Sequence, residues 1–184
     1  MEIVLKEVDR LNLLLSDFLN FARPAPLQLA TVDLAIILNE LIELLRAGGQ
    51  LGGVMLIQHY PEQVLVEIDR QKMRQALWDL LLNAVEAAKP SGTVRISVNL
   101  LDGEIVIEDS GPGLDDKVRE RIFEPFFTTK EKGTGLGLAN VYANITAHGG
   151  RVAAEASCLG GARFVIDLPE ACLQPTLMES VHGN

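Results

Sequence analysis

The sequence predicts a two-layer α/β sandwich: one mixed, mostly antiparallel sheet with helices on one face, preceded by a long N-terminal helix. Three observations carry this expectation. Apolar residues recur at helical spacing over 1–22, 33–45, 71–89 and 135–148. Strand-length apolar runs lie at 54–59, 64–68, 93–100, 104–108, 151–157 and 162–168. The turn signal Leu101-Asp102-Gly103 joins two of those runs as a hairpin, and the last two read as a closing antiparallel pair.

Each element has a local reason. Val4, Val8, Leu11, Leu15 and Phe18 alternate spacings of four and three, a seam too apolar for a lone helix in water. Two readings are open for it: an ordinary core helix, or one helix of a bundle whose partner lies upstream or in another chain. Arg23-Pro24-Ala25-Pro26 breaks that helix and opens a stiff linker over 24–32. Asp33 is placed to cap a helix running to Leu45, with Ile36, Ile37, Leu41, Leu44 and Leu45 as its apolar stripe. Asp69 is placed to cap the next, whose inner side is Met73, Leu77, Leu80, Leu81, Ala84 and Ala88. Pro90-Ser91-Gly92 stops it. Asp115–Ile122 reads as a short helix, and Phe123–Lys132 has no period and is expected to be a lid. Gly149-Gly150 ends the last helix. The main folded domain is expected over 33–170, with 171–184 as a frayed tail.

Composition narrows the class. With 184 residues the chain is long enough for one domain plus an appendage and needs no disulfide or metal staple. Cys158 and Cys172 lie outside any Cys-x-x-Cys spacing, so reduced thiols and a cytoplasmic setting are expected. A net charge of −9 argues against nucleic acid as a direct partner. No apolar run reaches the roughly 18–20 residues of a membrane helix. Glu2, Glu7 and Asp9 argue against a signal peptide at the start, so a membrane segment is expected only upstream, if at all.

The stretch Glu108–Leu138 holds two glycine clusters around an aromatic patch: Asp109-Ser-Gly111-Pro-Gly113, then Phe123-Glu-Pro-Phe126-Phe127-Thr-Thr129-Lys130, then Gly133-Thr134-Gly135-Leu136-Gly137-Leu138. Glycine lets backbone approach a ligand. A glycine-rich turn that opens a helix offers free N–H groups to an anion. The residues alone therefore suggest a nucleotide site, with a base near Asp109 and phosphates near Gly135. The chain has no Gly-x-x-x-x-Gly-Lys-Ser/Thr loop, no dinucleotide fingerprint after its first strand, and no His-Arg-Asp with Asp-Phe-Gly pair.

Asn83, Asp109-x-Gly111-x-Gly113, Phe123–Phe127 and Gly133-x-Gly135-x-Gly137 occur in that order, and together they resemble the ATP-binding domain of sensor histidine kinases. That domain belongs to the gyrase–Hsp90–histidine kinase–MutL superfamily, and the nitrogen-regulation-type subgroup is the nearest likeness. The resemblance spans Glu7 to Pro169. It implies the Bergerat-type form of the sandwich, with ATP between the helix layer and the lid. It implies that residues 1–23 are part of the second helix of the dimerisation and phosphotransfer hairpin, through which the full protein forms a homodimer. It implies ATP and Mg²⁺ as cofactors and a response regulator receiver domain as partner.

Residue by residue, the resemblance makes Asp109 the reader of the adenine amino group and Asn83 the Mg²⁺ ligand. Lys130 becomes the lid cation that meets phosphate, and Asn83 and Lys130 are the catalytic pair. The nucleotide-binding set it implies adds Gly111, Gly113, Thr129, Gly133, Thr134, Gly135, Leu136, Gly137 and Leu138. It makes Phe123, Phe126 and Phe127 an aromatic box. Plainer readings stand beside these: a turn aspartate, an amide bonded to a local carbonyl, a solvated lysine, core phenylalanines. One amide is too few ligands for Mg²⁺, so the metal is expected to arrive with ATP. His59, His148 and His182 lack the neighbours of the family's phosphoacceptor, and His148 is expected at a helix end. Asp79, one turn before Asn83, departs from the family's usual asparagine and is either a slow hydrolytic base or a solvated edge. Leu159 replaces a usual glycine and is expected to alter only a hairpin turn. A superfamily ATPase and a non-catalytic binding module are the rival functions.

Overall fold

Two aspartates start the first two long helices and also tie them to their surroundings. The computed structural model describes residues 26–99, 101–130 and 133–173, so the N-terminal helix expected over 1–22 and the tail beyond 173 lie outside it. Asp33 Oδ1 accepts from the N–H groups of Ala35 and Val64, both at 3.0 Å. It thereby caps helix α1 (Leu34–Ala47) and fixes the approach to strand β3 (Leu65–Ile68). Strand β1 (Ala30–Asp33) pairs antiparallel with β3, Ala30 opposite Ile68. Residues 30–32 therefore form a strand, where the sequence suggests linker. Its four residues, two exposed and two half-buried, carry no alternation from which to read one.

Helix α1 buries Leu34, Ile37, Leu38, Leu41, Ile42 and Leu45 at helical spacing. Ile36 and Leu44, expected in that stripe, are 50% and 46% exposed on the outer side. Asn39, Glu40, Glu43 and Arg46 mark the outer side of the helix, and Ile36 and Leu44 lie among them, so apolar character alone does not place a residue on the inner face. Helix α2 (Arg70–Ala88) buries all six expected positions, with Ala76 and Val85 besides. Its cap, Asp69, accepts from Gln71 and Lys72 through Oδ1 and from Gln28 at 2.9 Å through Oδ2. Burial pushes this carboxyl up, but the three N–H groups outweigh it and leave its pKa below the ordinary value.

The main sheet has five strands: β2 (Met55–His59), β4 (Thr93–Asn99), β5 (Glu104–Asp109), β6 (Arg151–Ala156) and β7 (Ala162–Asp167). Their order across the sheet is β2-β4-β5-β7-β6, parallel only between β2 and β4. The mixed, mostly antiparallel sheet is as expected. The separate β1–β3 pair is an addition to it. Short helix α3 (Asp116–Arg121) follows β5, and helix α4 (Gly137–Ala147) precedes β6. Helix α2 packs on β4 and β5, α4 packs along α2 and on β6, and α1 packs on α2. Ile96, Ile105, Ile107, Phe164 and Ile166 of the sheet join Leu77, Leu80 and Leu81 of α2 in one apolar cluster. Each such side chain contributes about 1.5–3 kcal/mol of burial before entropy is counted.

The chain after β7 is docked rather than frayed at its start. A 3₁₀ turn over Glu170–Cys172 leads to Leu173, which bridges Val66 of β3. At the far end of α4, His148 is buried. Its Nε2 accepts from Asp69 N–H at 2.9 Å and its Nδ1 lies 2.7 Å from the Asn144 carbonyl, which it serves as donor. One imidazole thus joins the start of α2 to the end of α4. No helix among the described residues is long and apolar enough to cross a membrane.

Candidate nucleotide-binding site

Strand β5 delivers Asp109 to the edge of the helix layer with 2% of its surface exposed. Oδ1 accepts from Gly111 N–H at 2.8 Å and from Ala162 N–H at 3.3 Å. Among the described residues nothing bonds Oδ2. The Gly111 bond is the turn-capping bond of the plainer reading, and it uses one oxygen only. Burial is the main force raising this carboxyl above its ordinary pKa, and the charge of Glu108 adds to it. The two N–H groups oppose the rise.

Backbone is wrapped so tightly around the carboxylate that two glycines become obligatory. A Cβ on Gly161 would fall 2.1 Å from Asp109 Oδ1, and one on Gly111 would fall 2.6 Å from the Ala87 carbonyl of α2. Gly161 N–H also donates to the Asp109 main-chain carbonyl at 3.1 Å. Gly113 turns the chain with φ of 75°. The Asp109 end of the candidate site is therefore built from β5, the turn before β7 and the Ala87 backbone.

Asn83 lies one turn before Ala87 on α2, about 6 Å along the axis. It is half-exposed, not buried. Its Oδ1 accepts from Lys130 Nζ at 2.7 Å, and Glu86 Oε2 pairs with the same ammonium at 2.5 Å. The amide is thus bonded to the lid lysine, and neither the local-carbonyl reading of Asn83 nor the solvated reading of Lys130 describes this arrangement. Lys130 is shaped into position by Thr128, whose Oγ1 accepts from Lys130 N–H at 3.1 Å, and by Gly133 N–H, which donates to its carbonyl at 3.1 Å.

The glycine run differs in detail from the sequence reading. Helix α4 begins at Gly137, so Gly133 and Gly135 belong to the loop before it. Gly135 has φ of 69°, and its carbonyl accepts from Phe126 N–H at 2.9 Å. A Cβ there would sit 2.4 Å from the Phe126 backbone. The position preceding Gly137 has no side-chain cap, which leaves the first N–H groups of α4 for an anion. Thr134 Oγ1 accepts from Leu136 N–H at 3.3 Å. Leu136 is fully buried and Leu138 packs on the core, so only their backbone can face a ligand. Thr129 is exposed on the lid.

The three phenylalanines of the aromatic motif meet different surroundings. Phe123 meets Tyr142 and Phe164 at ring distances of 5.9 and 6.5 Å. Phe127 lies under the Arg121 guanidinium at 4.6 Å, and Phe126 is 61% exposed with φ of 67°. Spacing in an aperiodic stretch does not say which rings turn inward. Asp79 is half-exposed, takes the Gln75 amide at 3.2 Å and faces Gly137, where an added Cβ would lie 3.8 Å from its Cγ. Leu159 does sit in a tight turn, its N–H donating to Ser157 Oγ at 2.9 Å.

Three site members are missing from the sequence reading: Glu86, Gly161 and the Ala162 N–H. Glu86 is visible as an acid three residues after Asn83, on the same helical face. Gly161 reads as an ordinary turn glycine until the β5–β7 register places it against Asp109. Among the described residues no cluster of three His, Cys, Asp or Glu side chains could hold a metal. Asn83 Oδ1 beside Glu86 is a hard oxygen pair that already attracts a cation. That suits Mg²⁺ carried in by phosphates rather than bound alone.

Residues 68–171 match the family described as histidine kinase-, DNA gyrase B- and HSP90-like ATPase, and the chain belongs to that family. Within it, the chain carries an ATP-binding domain of the sensor histidine kinase type. It is 36% identical to the signal transduction histidine-protein kinase AtoS of Escherichia coli (strain K12), over 92% of this chain and 28% of that protein. Full-length ShkA, solved in complex with AMPPNP, matches with a TM-score of 0.76 and 30% identity, over 93% of this chain and 38% of ShkA. The catalytic domain of histidine kinase ThkA matches with a TM-score of 0.68 and 29% identity, over 77% of this chain and 95% of that domain. The chain spans about 28% to 37% of the length of the curated relatives it matches.

Proposed function

We propose that this chain is the catalytic ATP-binding part of a two-component sensor histidine kinase. It binds Mg-ATP with adenine against Asp109 and phosphates between Asn83, Lys130 and the start of α4. The observation that carries this is the pinned carboxylate: Asp109 Oδ1 is held by two backbone N–H groups while Oδ2 is left for a donor. The adenine amino group is such a donor, and guanine has none at that position. Gly111, Gly113, Gly133, Thr134, Gly135, Gly137 and the backbone of Thr129, Leu136 and Leu138 complete the nucleotide set.

The γ-phosphate is delivered to an imidazole outside the described residues. That nitrogen bonds to the γ-phosphorus, the bond to the β-phosphate bridging oxygen breaks, ADP leaves, and the imidazole N–H proton is lost. The phosphoryl group then passes to an aspartate of a response regulator. His148 is not the acceptor, because both ring nitrogens are engaged inside the fold. Bound Mg²⁺ supplies charge neutralisation on the transferring phosphate, and this chain's residues supply position. Asn83 offers Mg²⁺ its amide oxygen. Lys130 offers the phosphate an ammonium, and Asp109 sets the register of the whole ligand.

The same reading places the protein in the cytoplasm, with residues 1–23 contributing to a dimerisation hairpin and any membrane anchor lying upstream. Membership of the nitrogen-regulation-type subgroup is part of the proposal and is carried by the sequence motifs. Titration calorimetry with Mg-AMPPNP tests it. Saturable one-site binding with preference for adenine over guanine nucleotides is expected, and a flat trace would overturn it.

A further inference from the structure

The contact between the lid and α2 puts a cation where the metal is needed. Lys130 Nζ reaches Asn83 Oδ1 at 2.7 Å and Glu86 Oε2 at 2.5 Å, across 47 and 44 residues of sequence. Asn83 and Glu86 are three apart on one helix, so their oxygens converge on one point above its surface. The lysine backbone is held in a turn by Thr128 and Gly133. The ammonium therefore fills the coordination position at Asn83 Oδ1 with one positive charge and is balanced there by a carboxylate.

We propose that Glu86 is a positioning residue that docks the lid lysine. Without nucleotide it holds Lys130 on Asn83 in the place of the metal cation, and Mg-nucleotide binds by exchange. The inference rests on the nucleotide reading of the site. An ammonium and Mg²⁺ on one amide oxygen repel each other at close range, so Mg²⁺ takes Asn83 more readily once Lys130 leaves. The phosphates that bring the metal also offer the lysine a stronger partner than Glu86. The lid then changes partner without ever leaving its ammonium unpaired. Free Mg²⁺ without nucleotide meets a position already occupied and charge-balanced, which makes the order of binding metal-with-nucleotide.

Hydrogen exchange of lid peptides tests this in the wild type, Glu86→Gln, Lys130→Met and the double variant, each alone and saturated with Mg-AMPPNP. Glu86 and Lys130 side chains are 42% and 48% exposed, so the variants keep the core intact. Without nucleotide, Glu86→Gln is expected to speed lid exchange about 1.5- to fivefold, the scale of an exposed charge pair. The difference should vanish at saturating Mg-AMPPNP, and Glu86→Gln should add nothing in the Lys130→Met background. Unchanged exchange without nucleotide overturns the docking role, as does a difference that persists in the bound form or in the Lys130→Met background. A wild type that binds Mg-AMPPNP without these effects leaves the nucleotide reading standing and removes the docking. A wild type that binds no Mg-AMPPNP removes both.

Discussion

Replacing Asp109 by Asn separates recognition from folding. The amide oxygen can take the place of Oδ1 and keep both bonds, from Gly111 N–H at 2.8 Å and Ala162 N–H at 3.3 Å. Its NH₂ then stands where Oδ2 stood, facing the amino group that the carboxylate is proposed to receive. A charged acceptor is lost, worth about 1.5–3 kcal/mol, and two donors are left opposed, which costs about 1–3 kcal/mol more. The sum, about 2.5–6 kcal/mol, corresponds to roughly 60-fold to 20,000-fold weaker Mg-AMPPNP binding.

Stability should move the other way. Burial raises the Asp109 pKa above its ordinary 3.8, so the folded state holds this proton more tightly than the unfolded chain does. The ionised carboxylate therefore costs stability at pH above its folded pKa. That cost is relieved as pH falls through the folded pKa toward the unfolded value. Asp109→Asn removes the cost, so its melting temperature at pH 7 should equal or exceed that of the wild type. The gap should close as the pH is lowered. Calorimetry gives the binding arm and scanning fluorimetry from pH 4 to about 8 gives the stability arm. Binding within threefold of wild type refutes adenine recognition by this carboxylate. A collapsed melting temperature means that the acid is a structural turn residue instead.

Other expectations follow from the same geometry. Gly161→Ala puts a Cβ 2.1 Å from Asp109 Oδ1, so it should abolish Mg-AMPPNP binding at concentrations that saturate the wild type and lower the melting temperature, as read by calorimetry and fluorimetry. His148→Phe leaves Asp69 N–H without its acceptor and should cost about 1–3 kcal/mol by urea unfolding. Nucleotide affinity should stay within twofold, because His148 lies about 16 Å along α4 from Gly137. Asp69 has a depressed pKa, so its contribution is present above the unfolded value of 3.8 and is lost as pH falls through the folded pKa. Asp69→Asn should therefore flatten the acid limb of stability below that value, measured by urea midpoints across the pH range.

Most of the architecture was legible because local chemistry and tertiary contact agree. The caps at Asp33 and Asp69, the Leu101-Asp102-Gly103 hairpin and the buried positions of α2 were readable from residue type and spacing alone. Strand β1 was not, since its four residues gain their pairing from β3, thirty-odd positions away. Ile36 and Leu44 were misplaced because they are apolar residues on the polar side of α1, among Asn39, Glu40 and Glu43. Within the site, Asp109, Gly111 and Asn83 were legible as motif residues, and the structure places Gly111 against both Asp109 and α2. Gly161 and the Ala162 N–H were hidden because their role exists only once β7 is in register beside β5. Glu86 was hidden because its partner lies on the lid, 44 residues downstream.

The two ends of the site are built for different purposes, and the energetics say which end selects and which end rearranges. Around Asp109 the contacts are close and mostly backbone, with Gly111 and Gly161 leaving no room for a side chain. Such a carboxylate is preorganised, and a base that cannot donate to it meets an unpaired buried acceptor, so rejection is strong. On the phosphate side the lid is tied to α2 by a half-exposed lysine, and an exposed pair of that kind contributes about 0–1 kcal/mol. A triphosphate with its metal exceeds that easily, so the tie is replaced rather than preserved. Under the proposed function, adenine identity is decided at the Asp109 wall, and the state of the phosphates is read by a segment whose own contacts are cheap to exchange. The proposed cycle of ATP binding, phosphoryl transfer and ADP release fits that division, because only the lid end of the ligand changes during it.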